Sequence, residues 1–76
     1  MSELSKKVNS FFLEATRTDV EKLKNDMLIS DHLYKVFEMR YIQNKDINFI
    51  AYTTGYSRGK IEADLRKIRK KISKLI

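Results

Sequence analysis

The chain has 76 residues, with 16 Lys+Arg against 10 Asp+Glu for a net charge of +6, no cysteine, no proline and a single histidine. A domain this small buries only about 60% of the surface of its unfolded chain, so the length allows one thin core, held without disulfides or a thiolate metal cage. No apolar run approaches the ~20 residues that cross a bilayer, and the N-terminal stretch MSELSKKVNSFFLEA lacks the apolar segment of a signal peptide. The expectation is a soluble, cytoplasmic protein with no membrane partner.

Composition also points away from catalysis. His32 is the lone imidazole, neither Gly55 nor Gly59 sits in a phosphate-cradling loop, and the carboxylates are scattered among lysines as on solvated helix faces. A binding module, not an enzyme, is expected, with no cofactor and no metal. The charge is uneven: residues 1–56 hold eight basic and eight acidic side chains, whereas residues 57–76 hold eight basic against two acidic. A neutral body carrying one basic element fits a polyanion partner, and it also fits an ordinary solvated lysine-rich helix.

In chain order, Leu4, Val8, Phe11, Phe12 and Ala15 form the stripe of an amphipathic helix opened by Ser2. Thr18-Asp19-Val20-Glu21 has the form of a capping box and would start a second helix carrying Val20, Leu23 and Met27. Ser30 can cap a third helix with Asp31 in its first turn; its apolar positions are Leu33, Val36, Phe37 and Tyr41, with Met39 or Ile42 as a further one. Asn44-Lys45-Asp46 reads as a polar turn in which Asp46 caps a short helix, 47–54, closed by Gly55. Ser57 caps a last helix on which Ile61, Leu65, Ile68, Ile72 and Leu75 recur at helical spacing. The predicted fold is all-α, a compact bundle of four to five helices. The predicted division is an N-terminal helix, 1–17, that caps the core or makes a dimer contact, and a domain, 18–76.

The short helix, glycine turn and capped basic helix together make a helix-turn-helix. Ile47 and Ile50 form the inward face of its first helix, and Ala51 is small where the second helix crosses. Gly55 supplies the turn dihedrals, Tyr56 tucks under the turn, and Ile61 and Leu65 return to the core. The pattern Arg40-Tyr41, Asn44-Lys45-Asp46, Ile50-Ala51, Gly55-Tyr56-Ser57 and Ile61 resembles region 4 of sigma-70-type factors and the small phage or mobile-element regulators built on the same helices. The resemblance covers roughly residues 19–72, with Val20–Ile29 as the family's first helix. It implies a sequence-specific, double-stranded DNA-binding transcriptional regulator, and it puts Arg58 at a DNA-contacting arginine position with Lys60 and Arg66 beside it.

There are departures. Gly59 stands where readers of the −35 element usually have Glu, Glu62-Ala63 where they have Arg-Gln, and Asp64 where an aliphatic is usual. The resemblance therefore does not imply −35 readout in the standard manner, and without a region 2 a complete sigma factor is not expected. Helix geometry leads to the same face: with Ile61, Leu65 and Ile68 inward, Arg58, Gly59, Lys60, Glu62, Ala63, Arg66 and Lys67 can address the major groove, with Ser57 ahead of them. Lys70, Lys71 and Lys74 would meet phosphates. Glu62 is expected to pair with Arg66 one turn on rather than with a cytosine.

His32 is expected to be solvent-exposed without a metal partner. The four tyrosines, Tyr34, Tyr41, Tyr52 and Tyr56, are expected at the core edge rather than stacking on bases. The Ile61–Leu75 stripe also fits a heptad seam, so a coiled-coil oligomeriser is one rival reading and a module binding RNA polymerase or a sigma factor is another. A homodimer through the N-terminal helix is compatible with the DNA-binding reading.

Overall fold

The computed structural model describes residues 3–76, with side chains from Lys6 onward. Its elements are α1 (Glu3–Glu14), α2 (Arg17–Asp26), α3 (Asp31–Phe37) running into a π-turn (Glu38–Ile42), α4 (Ile47–Thr54) and α5 (Arg58–Leu75). Five α-helices and no strand among the described residues make the protein all-α. No described helix is long and apolar enough to cross a membrane. The chain divides into two compact units, one of residues 1–28 with 69–76 and the other of residues 29–68.

The first unit consists of α1, α2 and the end of α5. Ser2, the expected opener of α1, and the Leu4 side chain lie outside the described residues. Val8, Leu23, Met27 and Ile72 are its buried apolar side chains. Ala15 falls past the end of α1, and Met27 is the C-cap of α2, its amide donating to the Leu23 carbonyl. Lys7 Nζ donates to the Ser73 carbonyl at 3.0 Å, a cation on the exposed last turn of α5 where the helix dipole favours it. Phe11 and Phe12 are half-buried, their rings edge-to-face at 5.1 Å, and Phe11 lines an open cleft of about 480 Å³ with Leu75 and Ile76.

The capping box of α2 sits two residues earlier than the sequence suggests. Thr16, not Thr18, is the N-cap: its hydroxyl accepts from the Asp19 amide at 3.1 Å, and Asp19 Oδ2 accepts from the Thr16 amide at 3.0 Å. The Thr16–Asp19 box has the same reciprocal chemistry as the expected Thr18–Glu21 one, and it satisfies the end donors while adding Arg17 and Thr18 to the helix. The amide and then the hydroxyl of Thr16 hold the exposed Asp19 carboxyl below its ordinary pKa.

The second unit consists of α3, the π-turn, α4 and the first part of α5. Ser30 Oγ accepts from the Leu33 amide at 3.4 Å and starts α3, which buries Val36 and Phe37. The helix then widens: the Gln43 amide reaches the Glu38 carbonyl at 2.9 Å, five residues back. The extra residue in that turn buries Met39 and leaves Ile42 46% exposed, which settles the inward position in favour of Met39. Asn44 has a positive φ of 56°, and Asp46 Oδ1 caps α4 by accepting from the Phe49 amide at 2.7 Å.

Along α5, Ile61, Leu65 and Ile68 are buried in the second unit and Ile72 in the first, so the residues after Ile68 are not a free heptad seam. Of that stripe, Leu75 alone is open, at 43% exposure.

The two glycines make opposite demands. Gly55 has φ 79°, where a Cβ is strained, whereas Gly59 lies in the first turn of α5 with open space at its Cβ position. Gly55→Ala should cost about 1–2 kcal/mol, and Gly59→Ala should stabilise by up to about 1 kcal/mol. Thermal unfolding followed by circular dichroism should therefore move the midpoint down for the first variant and up for the second.

Candidate nucleic-acid interface

The face that could meet a nucleic acid is built from local signals. Gly55 takes the left-handed conformation and its amide returns to the Ala51 carbonyl at 3.0 Å, ending α4. Two residues on, Ser57 Oγ accepts from the Lys60 amide at 3.2 Å and starts α5. The turn between α4 and α5 is thus Gly55-Tyr56-Ser57, and Ile50, Ile61 and Leu65 are buried behind it. Ile47 and Ala51 are half-buried.

Of the groove-facing candidates, Ser57, Arg58, Gly59, Lys60, Arg66 and Lys67 are exposed, whereas Glu62 and Ala63 are half-buried. Farther along the helix, Lys70 and Lys74 are exposed and Lys71 is half-buried. Glu62 does not pair forward with Arg66: its carboxylate lies 3.3 Å from Arg58 Nε, one turn back. Arg58 is on the first turn, where no preceding helical residue competes for it, and its side chain remains 65% exposed.

The inward side of α5 holds a group that the apolar periodicity does not anticipate. Asp64 is 1% exposed among the aliphatics. His32 Nε2 lies 2.6 Å from Asp64 Oδ2, and Lys60 Nζ donates to Asp64 Oδ1 at 2.9 Å. Because an ionised carboxylate only accepts, the imidazole donates through Nε2–H. His32 is therefore not a solvent-facing side chain of α3 but the buried carboxylate's partner from that helix, with 28% of its side chain exposed. Its ring packs edge-on against Tyr56 at 4.8 Å, and Lys60 Nζ stands 5.9 Å from the Tyr56 ring centroid. Tyr56 accordingly stays 48% exposed instead of tucking under the turn.

Burial pushes the Asp64 carboxyl up, but the hydrogen bonds from His32 and Lys60, and their charges, outweigh it and hold its pKa below the ordinary 3.8. No buried side-chain polar atom among the described residues lacks a partner, and no group of three or more His, Asp or Glu among them could hold a metal ion. The missed signal was Asp64 itself: a charged residue on the apolar stripe of a helix demands a partner, and the lone histidine was available.

This arrangement fixes a pH dependence. A carboxylate whose folded pKa is lowered contributes stability in full above its unfolded value of 3.8, and loses it as the pH falls through the lower folded value. Asp64→Asn should destabilise the protein by about 1–3 kcal/mol at neutral pH. Its urea-unfolding curve should converge on that of the parent below pH 3.8. A constant gap down to the acid limit would show that Asp64 acts through shape and not charge.

No protein-family model, curated protein or solved structure matches the chain.

Proposed function

We propose that the chain is a sequence-specific double-stranded DNA-binding transcriptional regulator of the sigma region 4-like, phage or mobile-element kind, with α5 as its recognition helix. The observation that carries this reading is the exposed basic face of α5, which begins directly behind the left-handed Gly55 turn and the Ser57 cap. Arg58 is the reading head. Its Nε faces Glu62, which leaves the terminal Nη groups to fork onto guanine O6 and N7. Glu62 then orients the arginine rather than accepting from a cytosine. Ser57 and Gly59 bring backbone close to a phosphate, and Ala63 offers a methyl-sized contact to thymine. Arg66, Lys67, Lys70, Lys71 and Lys74 supply phosphate contacts along the helix, while the Lys60 ammonium is already partnered by Asp64. RNA polymerase and a second copy are further partners of this reading; a dimer would read half-sites about 34–36 Å apart.

The test is a salt titration of binding to random duplex DNA and to DNA from upstream of the protein's own gene. Arg58→Ala should cut discrimination between the two by about 1–3 kcal/mol. Lys70→Ala should weaken both alike and lower the slope of log K against log salt by about 0.9, whereas Lys60→Ala should change the slope less. An unchanged sequence preference in Arg58→Ala would refute the assignment of the reading head.

A further inference from the structure

One face of α1 is complementary to itself. Lys7, Ser10, Phe11 and Glu14 follow at the same-face spacing of a helix, and all four line the open cleft of about 480 Å³ that Leu75 and Ile76 complete. The whole cleft belongs to the first unit. Lys7, Ser10 and Glu14 are exposed, Phe11 is half-buried and Leu75 is 43% exposed. An apolar centre, Phe11 with Leu75, thus lies open between a cation toward one end of α1 and an anion at the other. Both charges are available. Lys7 Nζ donates to the Ser73 carbonyl at 3.0 Å, but that acceptor is neutral and exposed and takes one of the three ammonium donors. Glu14 forms no ion pair among the described residues.

We propose that a second copy of the chain docks on this strip, the two α1 helices running antiparallel about a two-fold axis between Ser10 and Phe11. Lys7 of each copy then meets Glu14 of the other, and Ser10 meets Phe11, the small side chain making room for the ring. Charge order selects both the occupant and its direction. Lys7 and Glu14 are about 10.5 Å apart along the helix and equally far from the axis, so both ends close at once. A parallel pair would instead set lysine against lysine and glutamate against glutamate. A nucleic acid would meet Glu14 as a like charge. A two-fold contact requires a self-complementary patch, and a strip that runs cation, apolar, anion is one. With its 12 residues α1 is only about 18 Å long, so the contact falls below about 1,200 Å² and the dimer should dissociate on dilution. This inference does not rest on the DNA-binding reading and is tested without DNA.

Sedimentation equilibrium of the full chain at low ionic strength, from about 1 μM to about 1 mM, should show reversible monomer–dimer association. Glu14→Lys leaves the Lys7–Ser73 bond in place and should weaken the dimer at least about tenfold, as should Lys7→Glu. Mixed together, the two single variants should form a heterodimer near the parent's affinity, because opposite charges again meet at both ends. Each variant should keep the parent's helical circular dichroism. Should Lys7→Glu unfold, Glu14→Gln decides in place of the mixture, with an affinity between those of the parent and Glu14→Lys. A chain that stays monomeric throughout would overturn the proposal and leave the cleft to a different protein. Association indifferent to Glu14→Lys, or folded single variants that fail to pair when mixed, would overturn it equally.

Discussion

The second unit is organised around a carboxylate placed where packing alone would call for an aliphatic side chain. Desolvating Asp64 is unfavourable unless donors reach both of its oxygens, and the two that do come from different places: Lys60 from the preceding turn of the same helix, His32 from the first turn of α3. Each donor has its own prerequisite. His32 is where it is because Ser30 starts α3, and Lys60 because Ser57 starts α5. Tyr56, against the imidazole edge, depends on the left-handed Gly55 that precedes it. Apolar side chains tolerate small slides between helices; a 2.6 Å hydrogen bond does not. The network thus fixes the register of α5 against α3 and, with it, the direction in which Arg58 points.

Lys60 lies among the groove-facing candidates, yet its ammonium pairs with Asp64 and stands 5.9 Å from the Tyr56 ring centroid. A cation with a fixed buried partner is less available to a phosphate than a lysine on a solvated face, because releasing it would leave the carboxylate uncompensated. On the proposed DNA-binding reading, the effective reading set would be Arg58 together with the basic residues beyond Leu65, and the counterions those residues release would set the salt dependence of binding.

What could be read from the sequence was what lies within four residues. Ser30, Asp46, Gly55 and Ser57 all end or start helices as expected, because a cap depends on one side chain and the amide or carbonyl next to it. Even there the expected box at Thr18 gave way to Thr16 with Asp19, just past the end of α1 at Glu14. The π-turn has no residue signature, so the choice between Met39 and Ile42 stayed open. Glu62 had arginines one turn away on either side, and side-chain spacing alone could not choose between Arg58 and Arg66. His32 and Asp64 are far apart in the chain, and a pair like that becomes visible only once α3 and α5 are folded. Tyr52, assigned to the core edge, is 89% exposed because the buried side of α4 is narrow, with Ile50 as its one fully buried residue. For the interface, periodicity separated the inward aliphatics of α5 from its basic face; what that face contacts is a matter of chemistry that periodicity does not carry.

The two units also differ in how their residues are strung together. Residues 29–68 are contiguous, so that unit's contacts close over short loops and can form early. The other unit joins residues 1–28 to 69–76, and closing that loop carries the entropy of the whole intervening segment. During synthesis α1 and α2 emerge before α5, yet Val8, Leu23 and Met27 share their unit with Ile72 near the end of that helix. Until then the α1–α2 segment holds its apolar stripe open to water, without the part of the chain that completes its core.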